Sequence, residues 1–408
     1  MSILEAFKGA AAEVRDTPGG TLGARLSAAA RLAATIGREL GGMPALLPWA
    51  ARARLDRART PAPGKGRGGG VTLVRDVRYG PGRRQVADVW VPAEKKEGGG
   101  SGGLHPPPPA SPPLLPVALL IHGGVWSSGD KWTLGPAAAA LAQASGAAVA
   151  VPNYALWPSG EGRHGSGGGG GGLDAGAADV AAALGWALAG GVGVALGGAA
   201  AAPAATPTRV TLVGHSAGAH LATLAALAWS GGSGGEGGRG APSASPAAVV
   251  SLAGVFDLPS HYEYERGRGV HYLSTMARAA GGAVRWEDER DDGPSPLARA
   301  PTPREAAGLE ACSPLSRGAS RWAARARPGL GRCLAAVPAR LPRTWLLLAG
   351  GSDGTVPPSQ STAFAGALRR AGVRDVRCEV LEGVGHVDFV TGWGGGGWTA
   401  AVAKVVRG

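Results

Sequence analysis

The run Arg209-Val-Thr-Leu-Val-Gly-His-Ser-Ala-Gly-Ala-His-Leu-Ala222 carries an apolar stretch into Gly214-His215-Ser216-Ala217-Gly218 and out into helix-forming residues. A serine flanked by glycines at this spacing, between a strand and a helix, is the pattern of a nucleophile elbow. The glycines are needed because the turn is strained and side chains there would strike neighbouring backbone. The following helix sets its positive end beneath the serine. The chemistry such a residue supports is attack on a carbonyl carbon, with a covalent acyl intermediate.

That reaction needs three further parts. Upstream, His122-Gly123-Gly124-Val125-Trp126 follows the apolar run Val117–Ile121, and small residues there let backbone N–H groups approach a developing oxyanion. The hole is assigned to the amides of Gly123, Gly124 and Ala217. A base and its orienting acid should follow the serine in the order Ser, Asp, His. Asp353 stands in the polar loop after the apolar run Trp345–Leu348, 137 residues beyond Ser216, and His386 stands 33 residues further on, after Cys378–Leu381. Of eight histidines, only His386 combines that position with a loop at a strand end. Two other carboxylates compete for the acid role. Asp257 also follows a strand but is better suited to capping or anchoring a lid, and Asp388 is too near His386 to orient its ring comfortably. His215 and His220 are expected to be held structurally in the elbow and its helix. Trp126, His215 and Tyr154 stand as candidate substrate contacts.

The elements that must position these groups follow from hydrophobic periodicity. Val71–Tyr79 and Arg84–Val91 alternate apolar and polar residues, predicting half-buried antiparallel strands joined at Gly80-Pro81-Gly82. Beyond Lys95–Pro113, a Gly- then Pro-rich linker, the pattern changes to short apolar runs separated by helical stretches. Those runs are Val117–Ile121, Ala147–Val151, Val210–Val213, Val249–Ala253, Trp345–Leu348 and Cys378–Leu381. Continuous apolar strands alternating with helices predict a mostly parallel sheet covered on both faces. The boundaries that result are a basic N-terminal extension over 1–70 and a catalytic domain over 71–408. Low-complexity insertions are expected near 95–113, 161–173, 190–207 and 231–246, since loop insertions cost little stability. The long uncharged stretches Trp132–Gly160 and Val180–Thr208 are rich in Ala and broken by Gly and Pro, so each reads as a buried helix running into a strand or loop.

Composition narrows the function classes. The 408 residues include 44% hydrophobic and 17% charged side chains, with 72 Gly and 32 Pro. The net charge of +12 invites a nucleic-acid reading, but residues 1–70 hold 11 Lys/Arg against 5 Asp/Glu, which is half of that surplus. No nucleic-acid motif accompanies it, so no nucleic-acid partner is expected. A basic tail suits an anionic membrane surface equally well, which is the basis for expecting peripheral membrane association. Residues Leu26–Arg59 are compatible with an interfacial helix, a transit peptide or a disordered tail; the longest uncharged run, Leu40–Ala51, is too short to span a bilayer. No cleavable secretory signal is evident. Cys312, Cys333 and Cys378 fit neither a zinc site nor a disulfide framework, which points to an intracellular, reducing compartment. The chemistry calls for no metal and no cofactor.

Together these motifs resemble the esterase branch of the α/β-hydrolases, from about Val71 to the C-terminus. More narrowly, the chain resembles the isoprenylcysteine α-carbonyl methylesterases. The matching pieces are His122-Gly-Gly-Val-Trp126 with Gly129-Asp-Lys131, Tyr154…Pro158, and Gly214-His-Ser-Ala-Gly-Ala-His220. They continue with Phe256-Asp-Leu, His261-Tyr-Glu-Tyr-Glu-Arg-Gly-Arg-Gly-Val-His271, Ser313-Pro314 and Gly351-Ser-Asp353. Ala155 replaces the family's arginine. The resemblance implies an α/β-hydrolase fold with a small cap segment, a location at endomembranes, and hydrolysis of the methyl ester of a prenylated cysteine. His261–Met276 is expected to form the cap, with an ordinary surface helix as the alternative. Three other functions stay open: an arylformamidase acting on N-formylkynurenine, a general small-ester carboxylesterase, and a non-catalytic ligand-binding protein on the same fold.

Overall fold

The computed structural model describes residues 66–68, 70–92, 115–157, 172–197, 209–230, 245–268, 270–271, 275–281, 313–314, 341–395 and 397–408. The N-terminal extension up to residue 65 lies outside the described residues. So do Cys312, Cys333, the 95–113 linker and the greater part of the insertions at 161–173, 190–207 and 231–246.

Among the described residues nine strands form one sheet in the order β1-β2-β3-β5-β4-β6-β7-β8-β9. Gly66–Gly68 (β1), Val71–Arg78 (β2) and Val86–Pro92 (β3) make an antiparallel edge, and β3 pairs antiparallel with Ala148–Pro152 (β5). From there Val117–Ile121 (β4), Val210–His215 (β6), Ala248–Leu252 (β7), Thr344–Gly350 (β8) and Asp375–Leu381 (β9) run parallel. The central strands are buried on both faces because their residues are apolar without alternation. Successive side chains then feed opposite layers: Leu119 and Ile121 enter one core, Ala118 and Leu120 the other.

Gly135–Ser145 (α1) packs on one face. Leu173–Leu188 (α2) covers the other, with Gly191–Gly197 (α3) next to it in the chain. Ala217–Ser230 (α4) lies beside α2, and Leu258–Gly267 (α5) and Met276–Gly281 (α6) come from the segment after β7. Ser359–Arg370 (α7) joins the α2 face. After the short Asp388–Thr391 (α8), Gly397–Arg407 (α9) returns to pack with α1. Each large aliphatic side chain buried in these layers stabilises the fold by about 1.5–3 kcal/mol.

Three expectations change. The sheet begins at β1, ahead of Val71, because Gly66–Gly68 extends the antiparallel edge. The strand predicted over Arg84–Val91 is buried through Ala87–Trp90 rather than half-buried, since Ala87 and Val89 enter one core layer and Trp90 the other. Residues 191–197 are helical rather than inserted loop. Val192 anchors that helix to the core, while in α2 and α4 the alanines are packing material, as Ala177, Ala183, Ala222 and Ala225 are buried in the layer on one face of the sheet.

Candidate active site

Every chemistry-bearing loop leaves the carboxyl end of a parallel strand: His122 after β4, Ser216 after β6, Asp353 after β8 and His386 after β9. In open α/β sheets that end is where sites form.

Ser216 has φ 54, a left-handed backbone that a serine adopts only where the surroundings hold it. Its N–H donates to the Leu252 carbonyl at 2.9 Å, and its own carbonyl accepts from Ala219 N–H at 2.9 Å, so the turn is bolted to β7 and α4. The flanking glycines are obligatory by distance. A Cβ on Gly218 would stand 2.3 Å from the Ile121 carbonyl oxygen, and one on Gly214 2.5 Å from Ala219 Cα. The clash anticipated from the sequence is therefore with β4 and with the elbow itself.

His386 Nδ1 and Asp353 Oδ2 are 2.8 Å apart; the carboxylate accepts, so the proton sits on Nδ1 and Nε2 is left as the basic nitrogen. Asp353 Oδ1 accepts from the Thr355 and Val356 N–H groups, both at 2.8 Å. Burial alone would raise the Asp353 pKa. The hydrogen bond and charge of His386, with the two backbone amides, outweigh it and hold the carboxyl below its usual range. The two competing carboxylates do other things. Asp257 caps α5, accepting from Ser260 N–H at 3.0 Å, and Asp388 accepts from Gly385 N–H at 2.7 Å, closing the turn before His386.

The His122–Trp126 loop is held from behind. His122 Nδ1 donates to the Gly123 carbonyl at 2.8 Å, and burial keeps its pKa down at about 4, so the ring is neutral. With that carbonyl turned towards His122, peptide planarity points the Gly124 N–H the opposite way. Within the described residues, no hydrogen bond uses the N–H of Gly123, Gly124 or Ala217. Val125 and Trp126 both have positive φ, 52 and 57. Thr275 donates to the Val125 carbonyl at 2.5 Å, which ties the loop to the segment after α5.

The candidate substrate contacts are buried and packed against other residues of the site. Tyr154 is fully buried, stacks on His122 at 4.3 Å and donates to the His122 carbonyl at 2.8 Å, so it braces the loop. Trp126 is also buried, its Nε1 donating to His220 Nδ1 at 3.2 Å. His215 is buried as well, and its Nε2 donates to the His386 carbonyl at 3.0 Å. His220 has the structural role expected of it.

Sequence reasoning missed the support beneath the loop. Lys131, 2% exposed, places Nζ 2.5 Å from Asp88 Oδ1 and 2.7 Å from Asp76 Oδ1. Asp76 reaches it from a bulge between Val74 and Val77, with φ 53. Asn153 accepts from Lys131 N–H at 2.6 Å and donates to Asp130 at 2.9 Å, while Arg84 donates to the Tyr154 and Gly129 carbonyls. The only signal was Gly129-Asp-Lys131, which says nothing of its partners on β2 and β3. The 261–276 segment also does more than cover surface. His261 and Glu265 are buried, and Tyr264 donates to the Gly354 carbonyl at 2.9 Å, joining α5 to the acid loop. Among the described residues no cluster of His, Cys, Asp or Glu could hold a metal ion, and no helix is long and apolar enough to cross a membrane.

The strand order, the mostly parallel sheet between helical layers and the strand-end loops define an α/β-hydrolase fold. Solved structures share it. Esterase B from Lactobacillus rhamnosis is 18% identical with a TM-score of 0.54, over 92% of this chain and 95% of that one. A thermostable esterase from Pseudomonas putida is 18% identical with a TM-score of 0.50, over 92% and 93%. No protein-family model and no curated protein sequence matches the chain.

Proposed function

We propose that the protein is a serine carboxylesterase in which Ser216 is the nucleophile, His386 the base and Asp353 the orienting acid. The observation that carries this reading is the 2.8 Å His386–Asp353 bond, on loops at the same end of the sheet as a serine held at φ 54; among the described residues no hydrogen bond joins Ser216 to His386. Ser216 Oγ gives its proton to His386 Nε2 as it adds to the ester carbonyl. The oxyanion is received by the N–H groups of Gly123, Gly124 and Ala217. His386 then protonates the leaving alcohol, and the acyl-enzyme is hydrolysed by a water that the same nitrogen deprotonates. Asp353 stays ionised, stabilising the imidazolium; its lowered pKa suits that role.

For the substrate, the finer reading is the methyl ester of a prenylated cysteine. It is supported by the resemblance over His261–His271 and by the place of that segment, hydrogen-bonded through Tyr264 to the acid loop and, further along, through Thr275 to the oxyanion loop. Peripheral membrane association through the basic N-terminal segment belongs to the same reading. The test is hydrolysis of a prenylcysteine methyl ester beside p-nitrophenyl acetate and N-formylkynurenine, by wild type and Ser216→Ala. Selective, Ser216-dependent turnover of the first supports the finer reading, and turnover of the acetate alone leaves a general esterase. Preference for formylkynurenine moves the chain to the formamidases, and inertness towards all three removes the enzyme reading.

A further inference from the structure

We propose that His215 is a positioning residue for the catalytic base: its Nε2–H holds the backbone carbonyl of His386 and thereby sets the ring of His386 between Asp353 and Ser216. The inference rests on the hydrolase reading above and assigns a role to a buried imidazole which that mechanism does not use.

The geometry starts from the hydrogen bond. A carbonyl only accepts, so the 3.0 Å contact from His215 Nε2 to His386 O makes Nε2 the protonated nitrogen and leaves Nδ1 with its lone pair. The bond spans 171 residues of sequence, linking the end of β6 directly to the loop after β9. The two imidazoles lie 4.8 Å apart at 46°, so His215 also forms one wall against the base's ring. Its opposite edge meets the oxyanion loop, where a Cβ built on Gly123 would stand 3.0 Å from His215 Nδ1 and 3.1 Å from Ser216 Cβ. One ring is therefore wedged between the loop that carries the base and the loop that receives the oxyanion, next in sequence to the nucleophile. Any shift of His215 moves both relative to Ser216.

Neutrality matters as much as position. Burial keeps the His215 pKa at about 3, with the neighbouring His386 pushing in the same direction. The ring is thus uncharged at working pH and does not oppose the imidazolium that forms on His386 during acylation. A cation in its place would, and a carboxylate would have to be protonated to donate to the carbonyl.

The experiment compares wild type, His215→Gln, His215→Asn, His215→Leu and Ser216→Ala for p-nitrophenyl acetate hydrolysis across pH, with thermal unfolding of each. Gln places an amide N–H near the position of Nε2, Asn is too short to reach, and Leu fills space without donating. The expected result is kcat within roughly 5-fold of wild type for Gln. For Asn and Leu, kcat falls on the order of 10²-fold with KM little changed, the loss typical of a reacting group misplaced by about 1 Å. The acid limb of kcat/KM should be preserved in His215→Gln, since the amide leaves the base and its orienting acid in place and adds no ionisable group. A packing role would instead make Leu the better replacement, and either Leu matching Gln or a loss confined to KM overturns the proposal. If Leu fails to fold, the contrast between Asn and Gln decides in the same way. Activity that persists in Ser216→Ala, or an inert wild type, overturns the hydrolase reading and this inference with it. Ser216-dependent activity that is indifferent to all three His215 changes overturns this inference alone.

Discussion

Replacing Lys131 by Met tests whether the site rests on a buried charge network. The ammonium is 2% exposed and its partner Asp88 likewise, whereas the second partner, Asp76, is 59% exposed. Met keeps the length and apolar stem of lysine but leaves the buried Asp88 carboxylate without the ammonium, the Asp76 N–H still donating to it at 3.0 Å. Removing one member of a buried ion pair typically costs about 3–5 kcal/mol. For a domain of this size that corresponds to a Tm lowered by roughly 6–12 °C. Asp76→Asn should cost only about 0–1 kcal/mol, because an exposed partner is already solvated. The combined Lys131→Met/Asp88→Asn change should recover much of the loss, since it leaves no unpaired buried charge. Differential scanning calorimetry of the three variants measures this. A Lys131→Met protein within 1 kcal/mol of wild type, or equal losses for Lys131→Met and Asp76→Asn, would refute the argument that burial makes this pair matter.

Two further outcomes follow from the same geometry. Asp353→Asn should keep the fold but lower kcat on the order of 10⁴-fold, the loss that the corresponding change causes in serine proteases, because an amide can stabilise the wrong imidazole tautomer; steady-state kinetics with p-nitrophenyl acetate reads it. Stability should fall on acidification. His122 and His215 have folded-state pKa values lowered to about 4 and about 3, below the unfolded 6.5. The unfolded chain therefore binds their protons first, and stability is lost as pH drops below about 6.5, by up to ~1.4 kcal/mol per pH unit for each ring. Urea unfolding at pH 7 and pH 5 should show this loss, with a smaller drop in His215→Gln; an unchanged drop would contradict neutral burial of that ring.

Much of the fold was legible because parallel strands buried on two faces must be continuously apolar. Val117–Ile121 matches β4 at both ends, and the other central strands differ by only a few residues. The pairing of Asp353 with His386 was legible for a related reason: chain order and strand-end position single out the two residues, and the structure brings them within 2.8 Å. What was not legible depends on pairing between remote segments. The Asp76 bulge interrupts the alternation of β2, yet only the approach of Lys131 explains it. Tyr154 and Trp126 suit either ligand contact or packing in the sequence, and their partners, His122 and His220, appear only once the chain is folded. Helix α3 was hidden by its composition, since glycine and alanine serve close packing and flexible loops alike.

The most direct test of the account is covalent labelling with an alkyl fluorophosphonate, followed by mass spectrometry of the modified peptide. One equivalent per chain on Ser216, absent in Ser216→Ala and strongly slowed in His386→Ala, is the predicted result. Labelling at another residue, or labelling of Ser216 at the same rate without His386, would contradict the claim that this serine is activated by that histidine.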